Sequence, residues 1–374
     1  MRSLLPLCLT AFLSLAACTK KNANEIVVGQ FGSMTGSEAT FGISTDEGVK
    51  LAIDEANAAG GINGKKIKLV TMDNQGKAEE AAAVVTRLIE QEKIVALLGE
   101  VASSRSLAAA PIAQGRKIPM ITPSSTNPKV TEVGDYVFRV CFIDPFQGTV
   151  MAKFATENLK LKKVAILRDM KSDYSVGLAD FFKQKYVELG GTIVAEQTYQ
   201  SGDVDFKAQL TQIKSKNPDG LYIPGYYTEV GLIARQVREL GIKAIMMGGD
   251  GWDSSKLSEI GQDAVNGSYF SNHYSSESTD PAAVDFMNKF KARYNKTPDG
   301  LSAMGYDAAL VLIHAMKNAK EITPKAIRDE LAKIKDFQAA TGKITIDEKR
   351  NASKNAVVVQ VQGAVNKYVT TINP

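Results

Sequence analysis

Short apolar runs alternate with amphipathic segments along the chain after residue 25. Runs rich in Val, Ile and Leu are typical of parallel strands covered on both faces. In the first third of the chain they predict strands at 26–31, 67–72, 95–99, 119–121 and 136–140. Between these strands, apolar residues spaced three and four apart predict helices at 46–58, 79–91 and 103–114. This alternation is the pattern of an α/β fold with a parallel sheet.

A second alternating series follows Pro145. It predicts strands at 164–167, 192–196, 220–223 and 244–247, and helices at 147–158, 176–189, 206–216 and 229–240. The remaining helices, 282–294, 303–319 and 325–334, and the strands near Ile344 and Val357, are too few for a third sheet with its own helices. We therefore predict that these later helices return to cover the first sheet.

The predicted architecture has two doubly wound parallel-sheet lobes. Lobe 1 comprises residues 25–143 and 275–354, and lobe 2 comprises residues 144–274 and 355–374. Chain crossings near Ile143, Tyr274 and Lys354 would form a hinge about which the lobes rotate as rigid bodies. Open parallel sheets bind ligands at the carboxyl ends of their strands, so the cleft between the lobes is the predicted ligand site.

The N-terminus has the features of an export signal. Arg2 precedes a short apolar run, and residues 1–17 are too short a segment to span a bilayer. The string Leu15-Ala16-Ala17-Cys18 resembles a bacterial lipobox, which implies a lipid-modified Cys18 followed by a polar tether over 18–24. A plain secretory signal with an incidental cysteine is the alternative. Either interpretation predicts a protein of the bacterial cell envelope, and the first predicts a periplasm-facing or cell-surface lipoprotein.

Composition and charge exclude several classes of partner and chemistry. Lys and Arg outnumber Asp and Glu by only 45 to 41 in 374 residues, without a basic block, so we expect no nucleic-acid partner. Once Cys8 and Cys18 are assigned to the signal region, Cys141 has no partner for a disulfide. His273 and His314 lack metal-ligand spacing, so no metal site and no cofactor are predicted. No nucleophile or dinucleotide motif is present, and an enzyme is disfavoured, although hydrolysis by a carboxylate pair stays open.

Two loops after strands of the first series carry groups suited to an anion. Ser103 lies where a helix begins after strand 95–99, and free N–H groups at such an end attract a carboxylate. The next strand runs into a hydroxyl-rich loop containing Ser124, Ser125 and Thr126, which would complete the anion's hydrogen bonds. Simple capping and turn roles are the alternative for these hydroxyls.

Strand ends of the second series carry a carboxylate and aromatic rings. Asp250 lies among glycines directly after strand 244–247, where it could project into the cleft. A carboxylate facing an anion site suits a zwitterion, whose ammonium group it would pair with. The alternative is that Asp250 is only a turn residue. Tyr174, Tyr226 and Trp252 would wall the rest of the ligand or else belong to the core.

Three segments together resemble one protein family. They are Gly32-Ser33-Met34-Thr35-Gly36, Gly60-Gly61-Ile62-Asn63-Gly64 and Ile121-Thr122-Pro123-Ser124-Ser125-Thr126. In order and separation they resemble the branched-chain amino-acid (Leu/Ile/Val) binding proteins of bacterial ABC transporters, which have the type I periplasmic-binding-protein fold. The resemblance covers residues 26–372.

The resemblance implies a set of ligand contacts. Ser103 and Thr126 would hold the ligand carboxylate, while the Ser124 carbonyl, the Tyr226 hydroxyl and Asp250 would receive the ammonium group. Tyr174 would close over the ligand from lobe 2, and Phe41 would form part of the wall.

The chain also departs from the family pattern. Asp250 stands where better-known members have Glu, and Asn74, Gln75 and Ala102 leave no cysteine for the family's first-lobe disulfide. Glu100 and Trp252 would flank the side-chain pocket, and Glu100 would either face solvent or select a polar or cationic ligand side chain.

These expectations favour a monomeric, envelope-anchored substrate-binding protein of an ABC importer. It would capture an amino acid, branched-chain or related, between two closing lobes and deliver it to a membrane permease. A ligand-sensing receptor of the same fold that signals through a partner protein is the alternative.

Overall fold

The computed structural model describes residues 24–374. The predicted signal segment 1–17, the lipidation site Cys18 and all of the tether except Asn24 lie outside the described residues. No helix in the described range 24–374 combines the length and the hydropathy needed to cross a membrane.

The first sheet contains five parallel strands in the order β2-β1-β3-β4-β5. The strands are β1 (Glu25–Gly32), β2 (Lys66–Asp73), β3 (Ala96–Leu98), β4 (Met120–Thr122) and β5 (Val137–Arg139). Both faces of the sheet are covered by apolar packing, as the uninterrupted apolar runs predict. The helices that follow these strands are α1 (Ala39–Ala58), α2 (Ala78–Glu90), α3 (Ser103–Gly115) and the single turn α4 (Lys129–Glu132).

The second sheet begins with parallel strands β6 (Lys163–Asp169), β7 (Thr192–Tyr199), β8 (Gly220–Tyr222), β9 (Ile245–Gly248) and β10 (Tyr269–Asn272). Its helices are α5 (Asp144–Lys153), which continues into a π-helical turn at Phe154–Asn158, α6 (Asp173–Glu188), α7 (Lys207–Ser215), α8 (Tyr227–Glu239) and α9 (Ser255–Gly261). Alternate residues of β6 point to opposite cores: Val164 and Ile166 face α5 and α6, while Ala165 and Leu167 face α7 and α8.

The last part of the chain serves both sheets. Helices α10 (Pro281–Tyr294), α11 (Gly300–Asn318) and α12 (Pro324–Leu331) pack on the first sheet, as expected, with a small antiparallel sheet of β11 (Phe337–Ala339), β12 (Gly342–Ile346) and β13 (Ala352–Ser353). Strands β14 (Ala356–Gln362) and β15 (Val365–Ile372) then join the second sheet, whose order is β15-β14-β10-β9-β8-β6-β7. The predicted α/β class with two separate, mainly parallel sheets is confirmed. We call the elements packed on each sheet the first half and the second half.

Helix α1 differs most from its predicted bounds, because it begins at Ala39 instead of residue 46. Its first two turns contain Thr40, Ser44 and Thr45, which hid the apolar periodicity. Ser44 and Thr45 are nevertheless buried. Further along the helix, Gly48 permits a close crossing with α11, since an added Cβ would lie 1.9 Å from the Ser302 carbonyl oxygen. The longer α1 carries Phe41 to the cleft between the halves.

Candidate ligand-binding cleft

A small cavity lies between the carboxyl ends of the two sheets. Phe41, Val101 and Leu301 supply apolar walls, and Tyr174 and Tyr226 supply aromatic ones. The remaining lining comes from three residues: Ser124 of the first half, and Asp250 and Gly251 of the second.

Asp250 is a buried carboxylate surrounded by hydrogen-bond partners. It lies just after β9, in a single 3₁₀ turn that begins at the strand's carboxyl end. Its Oδ1 accepts from the Tyr174 hydroxyl at 2.9 Å and from Gln147 Nε2 at 2.8 Å. Its Oδ2 lies 2.9 Å from His273 Nε2 and accepts from the Ser124 hydroxyl at 3.2 Å. Ser124 comes from the first half, so this cluster joins both halves.

These contacts keep Asp250 ionised. Burial alone would raise the pKa of Asp250, but the hydrogen bonds from His273, Gln147 and Tyr174 outweigh burial and lower it. Burial lowers the pKa of His273, which favours the neutral imidazole at neutral pH. The second half therefore presents a negative charge to the cavity.

The first half carries hydrogen-bond donors in the loops that follow β3 and β4, although Ser103 and Thr126 are not among the residues that line the cavity. Ser103 is the first residue of α3, and its Oγ accepts from the Asn127 N–H at 3.2 Å. The hydroxyl of Thr126 is buried and has no hydrogen-bond partner among residues 24–374. The Ser125 hydroxyl is not available to a ligand, because it donates to the Glu100 carbonyl at 2.8 Å. That bond fixes the loop. Thr126 and the N-terminus of α3 are thus the groups still available to an anion.

Two stacked tyrosines form one wall of the cavity. The rings of Tyr174 and Tyr226 are 5.3 Å apart and nearly parallel, and Phe41 meets Tyr226 edge-on at 5.3 Å. The hydroxyl of Tyr174, and not that of Tyr226, contacts Asp250. Burial raises the pKa of Tyr226, and the charge of Arg105 acts in the opposite direction. Both rings line the cavity, and Tyr174 also orients the carboxylate.

The two halves touch along the rim of the cleft. Ser104 Oγ donates to Asp173 Oδ2 at 2.9 Å and accepts from the Asp173 N–H at 3.0 Å. Asn127 Nδ2 donates to the Asp173 carbonyl at 2.8 Å. On another side, the Thr228 hydroxyl donates to the Ser37 carbonyl at 2.7 Å. These contacts join the two halves beside the cavity.

Glu100 does not face solvent, so the first of the two alternatives for this residue is wrong. The residue is 1% exposed, and both carboxylate oxygens are occupied. Oε1 accepts from Ser33 Oγ at 3.0 Å, while Oε2 accepts from the Ala102 N–H at 2.7 Å and pairs with Arg105 Nε at 3.0 Å. Its role is to hold the turn before α3, because neither oxygen is free to select a ligand side chain.

Trp252 and Ala102 lie beside the cavity without lining it. Trp252 is 1% exposed in the core of the second half, where its Nε1 donates to the Ile223 carbonyl at 2.9 Å. Ala102 is the N-cap residue of α3, so its backbone places Ser103 at the first position of the helix. Among residues 24–374, no group of three or more His, Cys, Asp or Glu side chains could hold a metal ion.

Sequence reasoning missed His273, Gln147, Val101 and Leu301. His273 follows β10, which pairs in parallel with β9, so both strands end at the same sheet edge and the histidine could have been placed beside Asp250. Val101 lies three residues after the end of β3 and could also have been found. Gln147 and Leu301 come from helices α5 and α11, and no local pattern indicated that they reach the cleft.

A family model described as periplasmic binding protein matches residues 25–366, nearly the whole described chain. The chain belongs to the periplasmic binding protein family. This is a family of binding proteins and not of enzymes. An amino acid binding protein of Pseudomonas aeruginosa is 34% identical over 349 residues, covering 92% of each chain.

Two solved structures of periplasmic binding proteins are also similar. A leucine binding protein from Thermotoga maritima is 43% identical with a TM-score of 0.90, covering 93% of this chain and 99% of that one. The substrate binding protein of a branched-chain amino acid transporter from Streptococcus pneumoniae, solved with isoleucine, is 36% identical with a TM-score of 0.89. That match covers 94% of this chain and 100% of the other. The type I periplasmic-binding-protein fold is therefore confirmed for this chain.

Proposed function

We propose that this periplasmic binding protein is the substrate-binding component of an ABC importer and binds an amino acid, branched-chain or related, in the cleft. The observation that carries the proposal is the ionised Asp250, which lines a cavity between the two halves. The Ser103 and Thr126 donors lie in loops of the first half. The named ligands of similar proteins support the same class.

The proposed contacts assign each end of the ligand to one half. The Ser103 donors, which follow the turn at Ala102, and the Thr126 donors would take the carboxylate, and Asp250 with the Ser124 carbonyl would take the ammonium group. Charge-assisted hydrogen bonds of this kind each contribute about 1.5 to 3 kcal/mol. The ligand side chain would lie against the apolar walls of Phe41, Val101 and Leu301, beside the rings of Tyr174 and Tyr226.

Binding would be coupled to closure of two lobes, 25–143 with 275–354 and 144–274 with 355–374. A ligand that touches both lobes stabilises the closed form, and only that form would present both lobe surfaces together to a permease. The protein would act as a monomer without a cofactor. The rim contacts between the halves support closure as the binding conformation.

The first test is calorimetry with the twenty amino acids. At least one should bind the wild-type protein, and the Asp250→Asn variant should bind it at least about tenfold more weakly, because a charge-assisted contact is lost. The exposed Asp205→Asn serves as the control and should leave the Kd unchanged. A wild-type protein that binds none of the twenty contradicts the proposal, and an unaffected Asp250→Asn variant contradicts the ammonium assignment.

We also propose that the protein is lipid-anchored at Cys18 after removal of residues 1–17. Cys18→Ser should abolish lipid modification and release the protein from the membrane fraction, since acyl chains provide the anchor. Mass spectrometry of the purified N-terminus together with cell fractionation tests this. An unmodified Cys18 in the wild-type protein would leave only the plain secretory signal.

The alternative is a ligand sensor of the same fold that signals through a partner protein. The two roles separate in cells, because a transporter component is needed for uptake of radiolabelled ligand and a sensor is not. Loss of uptake on deletion, restored by the wild-type chain, supports transport.

A further inference from the structure

Arg139 is a fully buried arginine behind the loop that follows β4. It is the last residue of β5 and is 0% exposed. Its guanidinium donates to the carbonyl oxygen of Ser125, to that of Asn127 at 2.9 Å and to that of Pro128 at 3.2 Å. A further bond at 3.1 Å reaches the Thr131 hydroxyl. One side chain therefore fixes successive peptide groups of the loop that carries Thr126.

This arrangement dictates where the Thr126 amide points. In a planar trans peptide the C=O and the following N–H point in opposite directions. The Ser125 carbonyl is directed at Arg139, so the Thr126 N–H is directed away from it. The loop is tied to the start of α3 by the bond between Asn127 N–H and Ser103 Oγ. The Thr126 N–H is thus held in a fixed direction.

Arg139 forms no salt bridge with a carboxylate in the described chain, although Asp144 and Asp347 act on its charge. Burial raises the pKa of Asp144 to about 8, so Asp144 is mainly protonated at neutral pH. Burial likewise raises the pKa of the Cys141 thiol to about 12 and keeps it neutral. The groups in direct contact with the guanidinium are therefore neutral: three carbonyl oxygens and the Thr131 hydroxyl. A buried charge in that situation favours the arrival of an anion on the other side of the loop.

We propose that Arg139 is a positioning residue for the ligand carboxylate, which it serves by fixing the carbonyls of Ser125, Asn127 and Pro128 and so aiming the Thr126 donors at that carboxylate. Its positive charge, one peptide group behind the site, strengthens the attraction. This inference rests on the proposed amino-acid function, since it assigns how one end of that ligand is held. Lysine could not replace the guanidinium, because a single ammonium group lacks the planar fork that reaches several carbonyls at once.

The test compares two ligands that differ only at the carboxylate end. The Kd of L-leucine and of L-leucinamide is measured by calorimetry, with displacement titration for the weaker ligand, for wild type and for Arg139→Lys. The Kd of leucine should rise about tenfold, the equivalent of one charge-assisted hydrogen bond, while the Kd of leucinamide changes much less. An equal rise for both ligands would show a purely structural role and overturn the proposal.

Arg350→Lys is the matched control. Arg350 also contacts this region, through Nη2 and the Thr131 carbonyl at 2.9 Å, but it makes no bond to the 125–128 carbonyls. Its leucinamide-to-leucine Kd ratio should stay at the wild-type value, and a shift equal to that of Arg139→Lys would count against the specific role of Arg139.

A second variant covers the case in which Arg139→Lys does not fold, as judged by circular dichroism. Thr131→Val removes the one hydroxyl acceptor of the guanidinium and should move the Kd ratio in the same direction by a smaller factor. An unchanged ratio in that variant overturns the proposal. Failure of wild type to bind any amino acid would instead remove the proposed function, and with it this inference.

Discussion

Two buried aspartates near the cleft have opposite protonation states for identifiable reasons. Asp250 receives hydrogen bonds from Tyr174 and Gln147, and these keep it ionised despite burial. The carboxylate oxygens of Asp144 have no hydrogen-bond partner within residues 24–374, so burial raises the pKa of Asp144 to about 8. Both aspartates are buried, so the number of hydrogen-bond donors, more than the degree of burial, explains why their pKa values shift in opposite directions.

The raised pKa of Asp144 predicts a pH-dependent stability. Between pH 3.8 and about 8 the folded protein keeps a proton on Asp144 that the unfolded chain has lost. The free energy of unfolding should therefore fall as pH rises through this window, by up to about 1.4 kcal/mol per pH unit from this group. Asp144→Asn should flatten that slope and gain stability relative to wild type near pH 8. Urea denaturation across the window measures both slopes.

The exposed Glu239→Gln is the control and should keep the wild-type slope. If Asp144→Asn keeps it as well, Asp144 is ionised in the folded protein and the assignment is wrong.

Among single residues, the sequence identified site candidates in the loops that follow strands. Ser103, Thr126 and Asp250 could be picked out because strand ends gather at one edge of each sheet. Arg139 and Gln147 could not, because long side chains reach sites that belong to other elements. The distance such a side chain covers depends on packing, which local sequence does not encode.

At the scale of elements, a polar network ties the loops at the carboxyl ends of the first three strands. Ser33 follows β1, Asn74 follows β2 and Glu100 follows β3, and their side chains bond to one another at 3.0 to 3.2 Å. Arg105 of α3 completes the network through Glu100 Oε2. The resemblance implied a disulfide in this region for related proteins, and this chain has hydrogen bonds and an ion pair there.

Removing Glu100 should therefore destabilise the fold. Glu100→Ala leaves Arg105 buried with less compensation, and breaking a buried pair costs about 3 to 5 kcal/mol of unfolding free energy. Glu90→Ala breaks an exposed pair with Arg116 and should cost less than about 1 kcal/mol. Equal denaturation midpoints for the two variants would show that the network adds little stability.

Periodicity predicted most elements of both sheets, but with errors at their ends. The start of α1 was missed because its polar residues are buried against α11. Strand β15 was also missed, since most of its residues are partly or fully exposed and give no apolar run. The positions of edge strands and helix ends depend on tertiary contacts, and the pattern of a single sequence does not predict such contacts well.

At the scale of the whole molecule, contacts at the rim join the two halves beside the cleft, where Phe41, Val101 and Leu301 of the first half pack against the core of the second. The Ser104 and Asp173 pair bonds in both directions across the cleft, at 2.9 and 3.0 Å. In the proposed mechanism these bonds exist only in the closed form. They would therefore contribute to ligand affinity without touching the ligand.

Ser104→Ala should weaken binding through closure alone. One hydrogen bond is worth about 0.5 to 1.5 kcal/mol net, so the Kd should rise roughly two- to tenfold. Calorimetry gives the Kd, and stopped-flow measurement should show that faster dissociation accounts for the change. Ser201→Ala, at an exposed serine whose hydroxyl makes no bond in the described chain, should change neither quantity. An unaltered dissociation rate in Ser104→Ala would contradict a latch at the rim.

The position of Trp252 gives this protein a built-in optical probe. It is the only tryptophan in the chain, two residues from Asp250, and its indole N–H is bonded to a carbonyl of the neighbouring strand end. Any rearrangement of the turn that holds Asp250 changes the surroundings of that one indole. Intrinsic emission recorded during a titration would then follow events at the cleft without any attached dye.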